Sequence, residues 1–60
     1  PVLKARKALT QLAKGESLSV LVTDKAAPKD FALFCAEAGH KLISVEQQDN
    51  FFIVTVERGA

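Results

Sequence analysis

The sequence predicts an α/β fold, a two-layer sandwich with two helices on one face of a small sheet. Three observations predict it. Apolar residues recur at three- and four-residue spacing in two segments. They alternate in strand fashion in three others. Gly15, Pro28 and Gly39 fall at the junctions, so the order reads α-β-α-β-β.

The first helix is expected from Pro1 to about Ala13. Val2, Ala5, Ala8, Leu9 and Leu12 share one face, while Lys4, Lys7, Gln11 and Lys14 lie opposite with Arg6 on the flank. Proline suits the first helical position, where its missing N–H costs nothing, and Gly15 is a stop signal. Ser17 to Thr23 alternates and reads as a strand with Leu18, Val20 and Val22 inward. Asp24 to Ala27 connects it to a second helix opened by Pro28 and closed by Gly39. Phe31, Phe34, Cys35 and Ala38 form the apolar stripe of that helix, and Asp30 complements its dipole in the first turn. His40 to about Gln47 is a second strand, Gln48–Asn50 a hairpin turn, and Phe51 to Glu57 a third strand. On this last strand Phe52, Val54 and Val56 share one face, and Phe51, Ile53 and Thr55 the other.

Composition narrows the function. Sixty residues make one domain, read here as spanning 1–60. A chain of this size buries only about 60% of its unfolded surface, too little for a deep active site, so any chemistry sits on an edge or an element end. Hydrophobic residues at 48% and charged residues at 25% are ordinary for a globular domain and exclude a disordered tail. A net charge of +1 lacks the basic excess of most nucleic-acid binders. One cysteine makes no internal disulfide, which points to a reducing, cytoplasmic setting. One cysteine with one histidine does not furnish the thiolate and imidazole ligands of a zinc site, so neither metal nor cofactor is expected. No apolar run approaches the roughly 20 residues of a membrane span.

Three segments resemble the TusA (SirA-like) sulfur-carrier family: PVLKARKAL from Pro1, GESLSV from Gly15, and KDFALFCAEAGHKLISVE from Lys29. The resemblance covers Pro1 to about Arg58 and implies the family order β-α-β-α-β-β with a mixed sheet, the first strand lying ahead of this chain. It also implies the signature Cys-Pro-x-Pro at the mouth of the first helix. Pro1 looks like the last proline of that signature, and the reactive cysteine is expected three residues before it. Asp24 followed by Lys25 departs from the Asp-Pro common in the family.

The function so implied is a sulfur carrier. It takes persulfide sulfur from a cysteine desulfurase or another sulfurtransferase and passes it to an acceptor protein, for tRNA thiolation or related sulfur traffic. It is a sulfurtransferase only if the upstream cysteine is present. Leu3, Lys4 and Lys7, beside the expected thiol, are candidate partner contacts; a solvated helix face is the alternative for the lysines. Cys35 sits on the buried stripe and reads as an inert core thiol, with a secondary, resolving thiol as the alternative. His40 reads as a local hydrogen-bonding residue rather than a catalyst. Asp24, Asp30 and Glu37 read as turn and surface charges. Leu21, Phe51 and Ile53 face away from the helices, either as an interface patch or as a face partly covered by polar neighbours. The strand from Ser17 has an edge open to pairing with another chain. The fold is also similar to the RNA-contacting C-terminal domain of translation initiation factor three. A non-catalytic RNA- or protein-binding or regulatory module is therefore the second function reading, although direct nucleic-acid binding is not expected at this charge.

Overall fold

Phe31, Leu9, Val54 and Val56 are the largest fully buried side chains, contributed by both helices and the last strand, and they mark the core. The computed structural model describes residues 2–60. Its elements are α1 (Val2–Leu9), β1 (Ser17–Val22), α2 (Ala27–Ala38), β2 (Lys41–Gln47) and β3 (Phe52–Glu57). The strand order is β1-β3-β2, and both pairings are antiparallel. The parallel pairing that would make the sheet mixed needs a strand ahead of α1 and lies outside the described residues, as does the first-position role expected of Pro1. Both helices pack on one face, so the two-layer α/β sandwich is the fold observed.

The last strand in sequence is the middle strand in space. This is why Val54 and Val56 are fully buried while β1 and β2 reach only partial burial along most of their inward faces. The register sets Leu18 opposite Val56, Val20 opposite Val54 and Val22 opposite Phe52, stacking the inward apolar sets of both strands beneath the helices. On β2 the register slips between Leu42 and Ser44, leaving Ile43 as the extra residue. The slip sets Val45 opposite Val54, yet Val45 itself remains 39% exposed. On the outer face Leu21 stands opposite Ile53 and remains 62% exposed. Beside this pair the Ser19 and Thr55 hydroxyls lie 2.9 Å apart in a hydrogen bond, so this face mixes apolar and polar side chains. The second edge of β1 carries no strand among the described residues.

α2 begins at Ala27, one residue earlier than its proline. The Asp24 carboxylate accepts the Ala26 N–H at 2.9 Å, and the Ala27 N–H donates to the Asp24 carbonyl at 3.0 Å. This turn also ends β1 before Thr23. Gly39 closes the helix in the left-handed region at φ 80°, and its N–H and that of His40 both donate to the Cys35 carbonyl. His40 is thereby spent on the cap, and β2 starts at Lys41.

α1 differs most from expectation. It ends at Leu9, four residues short of Ala13. The chain continues in i to i−3 turns through Thr10, Gln11 and Leu12, with the Thr10 hydroxyl donating to the Lys7 carbonyl at 2.6 Å. The carbonyls at this end also meet a distant partner, the Leu9 carbonyl in addition to the Leu12 N–H it already accepts. Arg58 Nη1 donates to the Leu9 and Thr10 carbonyls at 3.2 Å each, and to that of Leu12. A guanidinium at a helix C-terminus satisfies orphan acceptors and complements the negative end of the dipole. Gly15 then reverses the chain at φ 87°, its N–H on the Arg58 carbonyl and the Arg58 N–H on Glu16, extending the β1–β3 ladder by one step.

Candidate functional site

The first turns of α1 present the most concentrated positive charge of the helix layer. α1 buries Ala5 and Leu9 against the sheet and has no acidic residue in its first turn. This orientation turns Leu3, Lys4 and Lys7 outward, and Leu3 is 78% exposed. Leu3, Lys4, Arg6, Lys7 and Thr10 line a shallow surface groove. Lys14 does not continue this stripe. Because α1 ends at Leu9, Lys14 lies in the turn before Gly15, and the three-lysine helix face expected from spacing is a two-lysine face.

Arg6 does more than flank that face. Its guanidinium lies over the Phe34 ring, 5.2 Å from the centroid, and so ties α1 to α2. A second groove runs between the two helices beside Val2, lined by Arg6, Asp30, Leu33, Phe34 and Glu37. Leu33, 60% exposed, adds an apolar contact point near the mouth of α1. Neither Leu33 nor Arg58 stands out in the sequence. Leu33 lies off the apolar stripe of its helix, and the role of Arg58 depends on chain reversal over 46 to 49 residues. The one available signal was an arginine directly after a strand.

Cys35 is buried on α2 as part of the hydrophobic core, 3% exposed. Burial raises its thiol above the ordinary cysteine value, because a thiolate there would lose hydration with no compensating partner. Cys35 is therefore less readily ionised than an exposed thiol. Iodoacetamide at pH 8 is expected to alkylate it at least tenfold more slowly in the native chain than in urea. Equal rates by mass spectrometry would contradict the buried, inert assignment.

His40 Nδ1 accepts the Gly59 N–H at 3.2 Å, and its ring packs on Phe34 at 5.4 Å between centroids. Asp24 forms the turn before α2; Asp30 and Glu37 are exposed on α2. The site thus gathers two lysines and Leu3 on the outward side of α1, with exposed Leu33 of α2 nearby, a surface suited to an acidic, partly apolar partner. Among the described residues no helix is long and apolar enough to cross a membrane.

Comparison with known proteins agrees with this frame. The profile of the family described as Sulfurtransferase TusA matches residues 1–58. A Neisseria meningitidis serogroup A protein named "Putative sulfur carrier protein" is 46% identical over 57 residues, covering 95% of this chain and 77% of its own length. The "Sulfur carrier protein TusA" of Allochromatium vinosum is 29% identical over 58 residues, covering 97% and 76%. An Archaeoglobus fulgidus protein, also named "Putative sulfur carrier protein", is 29% identical over 58 residues, covering 97% and 80%. No solved structure gives a significant match. With the profile running from the first residue of the chain to the arginine that caps α1, the chain belongs to the TusA sulfurtransferase family.

Proposed function

We propose that this domain is the body of a sulfur carrier whose reactive thiol lies three residues ahead of Pro1, at the mouth of α1. The family match over residues 1–58 is the observation that carries this reading. In the proposed reaction the carrier thiolate attacks the outer, sulfane sulfur of a donor persulfide. A new S–S bond forms on the carrier, the donor S–S bond breaks, and the donor cysteine leaves as thiolate. No net oxidation occurs, and no metal or cofactor takes part. A second exchange of the same kind delivers the sulfur to an acceptor. A cysteine desulfurase or another sulfurtransferase is the proposed donor, and tRNA thiolation is one destination for the sulfur.

The residues of this chain supply the setting. The unpaired N–H groups and positive dipole end of α1 favour thiolate over thiol at the helix mouth. Lys4 and Lys7 add positive potential on the same side and favour an acidic partner surface. Leu3 supplies an apolar contact.

The test is the intact mass of the full-length protein after incubation with a cysteine desulfurase and cysteine. The expected result is a gain of one sulfur atom that reductant removes. No gain, with a desulfurase shown to load another acceptor, would overturn the carrier reading. The lysines have their own test. Reversing both charges (Lys4→Glu with Lys7→Glu) is expected to weaken donor binding about tenfold at low salt, with the difference shrinking as salt screens the contact. Unchanged affinity by calorimetry would return these lysines to a solvated helix face.

A further inference from the structure

We propose that His40 is a protonation-controlled latch that couples the end of α2 to the end of α1. The segment after β3, Arg58 to Ala60, passes so closely over the α2–β2 junction that a side-chain carbon on Gly59 would collide with the Gly39 carbonyl oxygen. This approach places the Gly59 N–H on His40 Nδ1 at 3.2 Å. Nδ1 is therefore the acceptor, and in the neutral ring the proton resides on Nε2.

The neighbouring residue of the same segment holds the other helix. Arg58 Nη1 caps the Leu9, Thr10 and Leu12 carbonyls, and its Nε donates to the Ala60 carbonyl at 3.0 Å. Three residues thus bridge the C-terminal ends of both helices. The Arg58 backbone is held independently by its pairing with Gly15 and Glu16, so the proposed latch acts through Gly59, Ala60 and the Arg58 side chain.

Protonation at Nδ1 opposes two N–H donors at that contact. The acceptor is lost, Gly59 and Ala60 swing away from the junction, and the Arg58 guanidinium loses the carbonyl that orients it from behind. The carbonyls at the end of α1 then lose part of their cap. The charged groups around the ring are Arg6 from α1, Glu37 from α2 and Arg58 from the terminal segment, which line the same cleft. Phe34 packs on the ring, and Lys41 follows it on β2. The latch does not depend on the sulfur chemistry, and its readouts are structural.

The experiment is an amide NMR titration of the full-length protein from pH 8 to pH 5, following the His40 ring, the Gly59 N–H and the amides of Leu9 to Leu12. Corrected for intrinsic pH dependence, Gly59 exchange is expected to accelerate about three- to tenfold on protonation, the range for loss of one ordinary hydrogen bond. The signals from the end of α1 are expected to titrate with the His40 midpoint. His40→Asn retains an acceptor that does not titrate, so both responses should be flat. His40→Phe retains a ring without an acceptor, so fast exchange is expected at either pH. A Gly59 signal that ignores the His40 titration, or an Asn variant that titrates like the parent, would overturn the latch. Should the Phe variant not fold, the parent and the Asn variant decide the question.

Discussion

Under the proposed carrier function, replacing the signature cysteine expected three residues ahead of Pro1 by serine abolishes persulfide loading of the full-length protein, while Cys35→Ala loads to near the parental level. The physical grounds are opposite environments for two thiols. A thiol at the mouth of α1 would meet unpaired N–H groups, the positive end of the dipole and the lysines at positions 4 and 7, all of which favour the reactive thiolate. Cys35 is buried among apolar side chains that push its thiol upward and keep a bulky persulfide donor away. Removing the first thiol removes the nucleophile; removing the second removes a little packing. The measurement is the mass gain after desulfurase treatment, made where both variants retain the parental circular dichroism. Loss of loading in Cys35→Ala alone would reverse the assignment and make the buried thiol the carrier. Equal loss in both would make the two thiols a working pair.

Phe31→Ala is expected to leave the domain largely unfolded at 25 °C. Phe31 is 0% exposed and belongs to the same core cluster as Leu9 of α1 and Val54 and Val56 of β3. Truncating a buried phenylalanine costs about 3–5 kcal/mol, the lost transfer free energy plus the cavity left behind. A single core of this size supplies a net stability of about 3–5 kcal/mol, so one substitution consumes all of it. Leu33→Ala is the control. Leu33 lies on the same helix but is 60% exposed, and its truncation is expected to stay within about 0.5 kcal/mol. Urea unfolding followed by circular dichroism separates the two. A cooperative transition for Phe31→Ala within 1 M urea of the parent would show that the core re-forms around the gap.

Much of the fold was legible in the chain because its rules are local. The spacing of Phe31, Phe34, Cys35 and Ala38 specifies one helix face whatever lies elsewhere. The alternation of Phe52, Val54 and Val56 specifies a strand face, and Gly39 marks a helix end because a left-handed backbone is cheap only there. The burial of Cys35 followed from the same periodicity. Leu3, Lys4 and Lys7 point outward because Ala5 and Leu9 point in.

What the tertiary structure decided rests on contacts between residues far apart in sequence. Periodicity carried α1 on to Ala13, since Leu12 keeps the helical spacing. The helix stops at Leu9 because the Thr10 hydroxyl tightens the next turn and a guanidinium 46 to 49 residues away takes up the carbonyls. The slip at Ile43 was invisible to alternation, since a bulge is defined by the partner strand and not by the residues within it. The pairing of His40 with Gly59 requires the chain to return across 19 residues, and the contact of Arg6 with Phe34 requires α1 to lie beside α2. Local spacing thus determined which residues form each element and which side of it is apolar. Where the elements end, and which polar groups meet across them, followed only from packing, because hydrogen bonds and ring contacts depend on proximity in space rather than order along the chain.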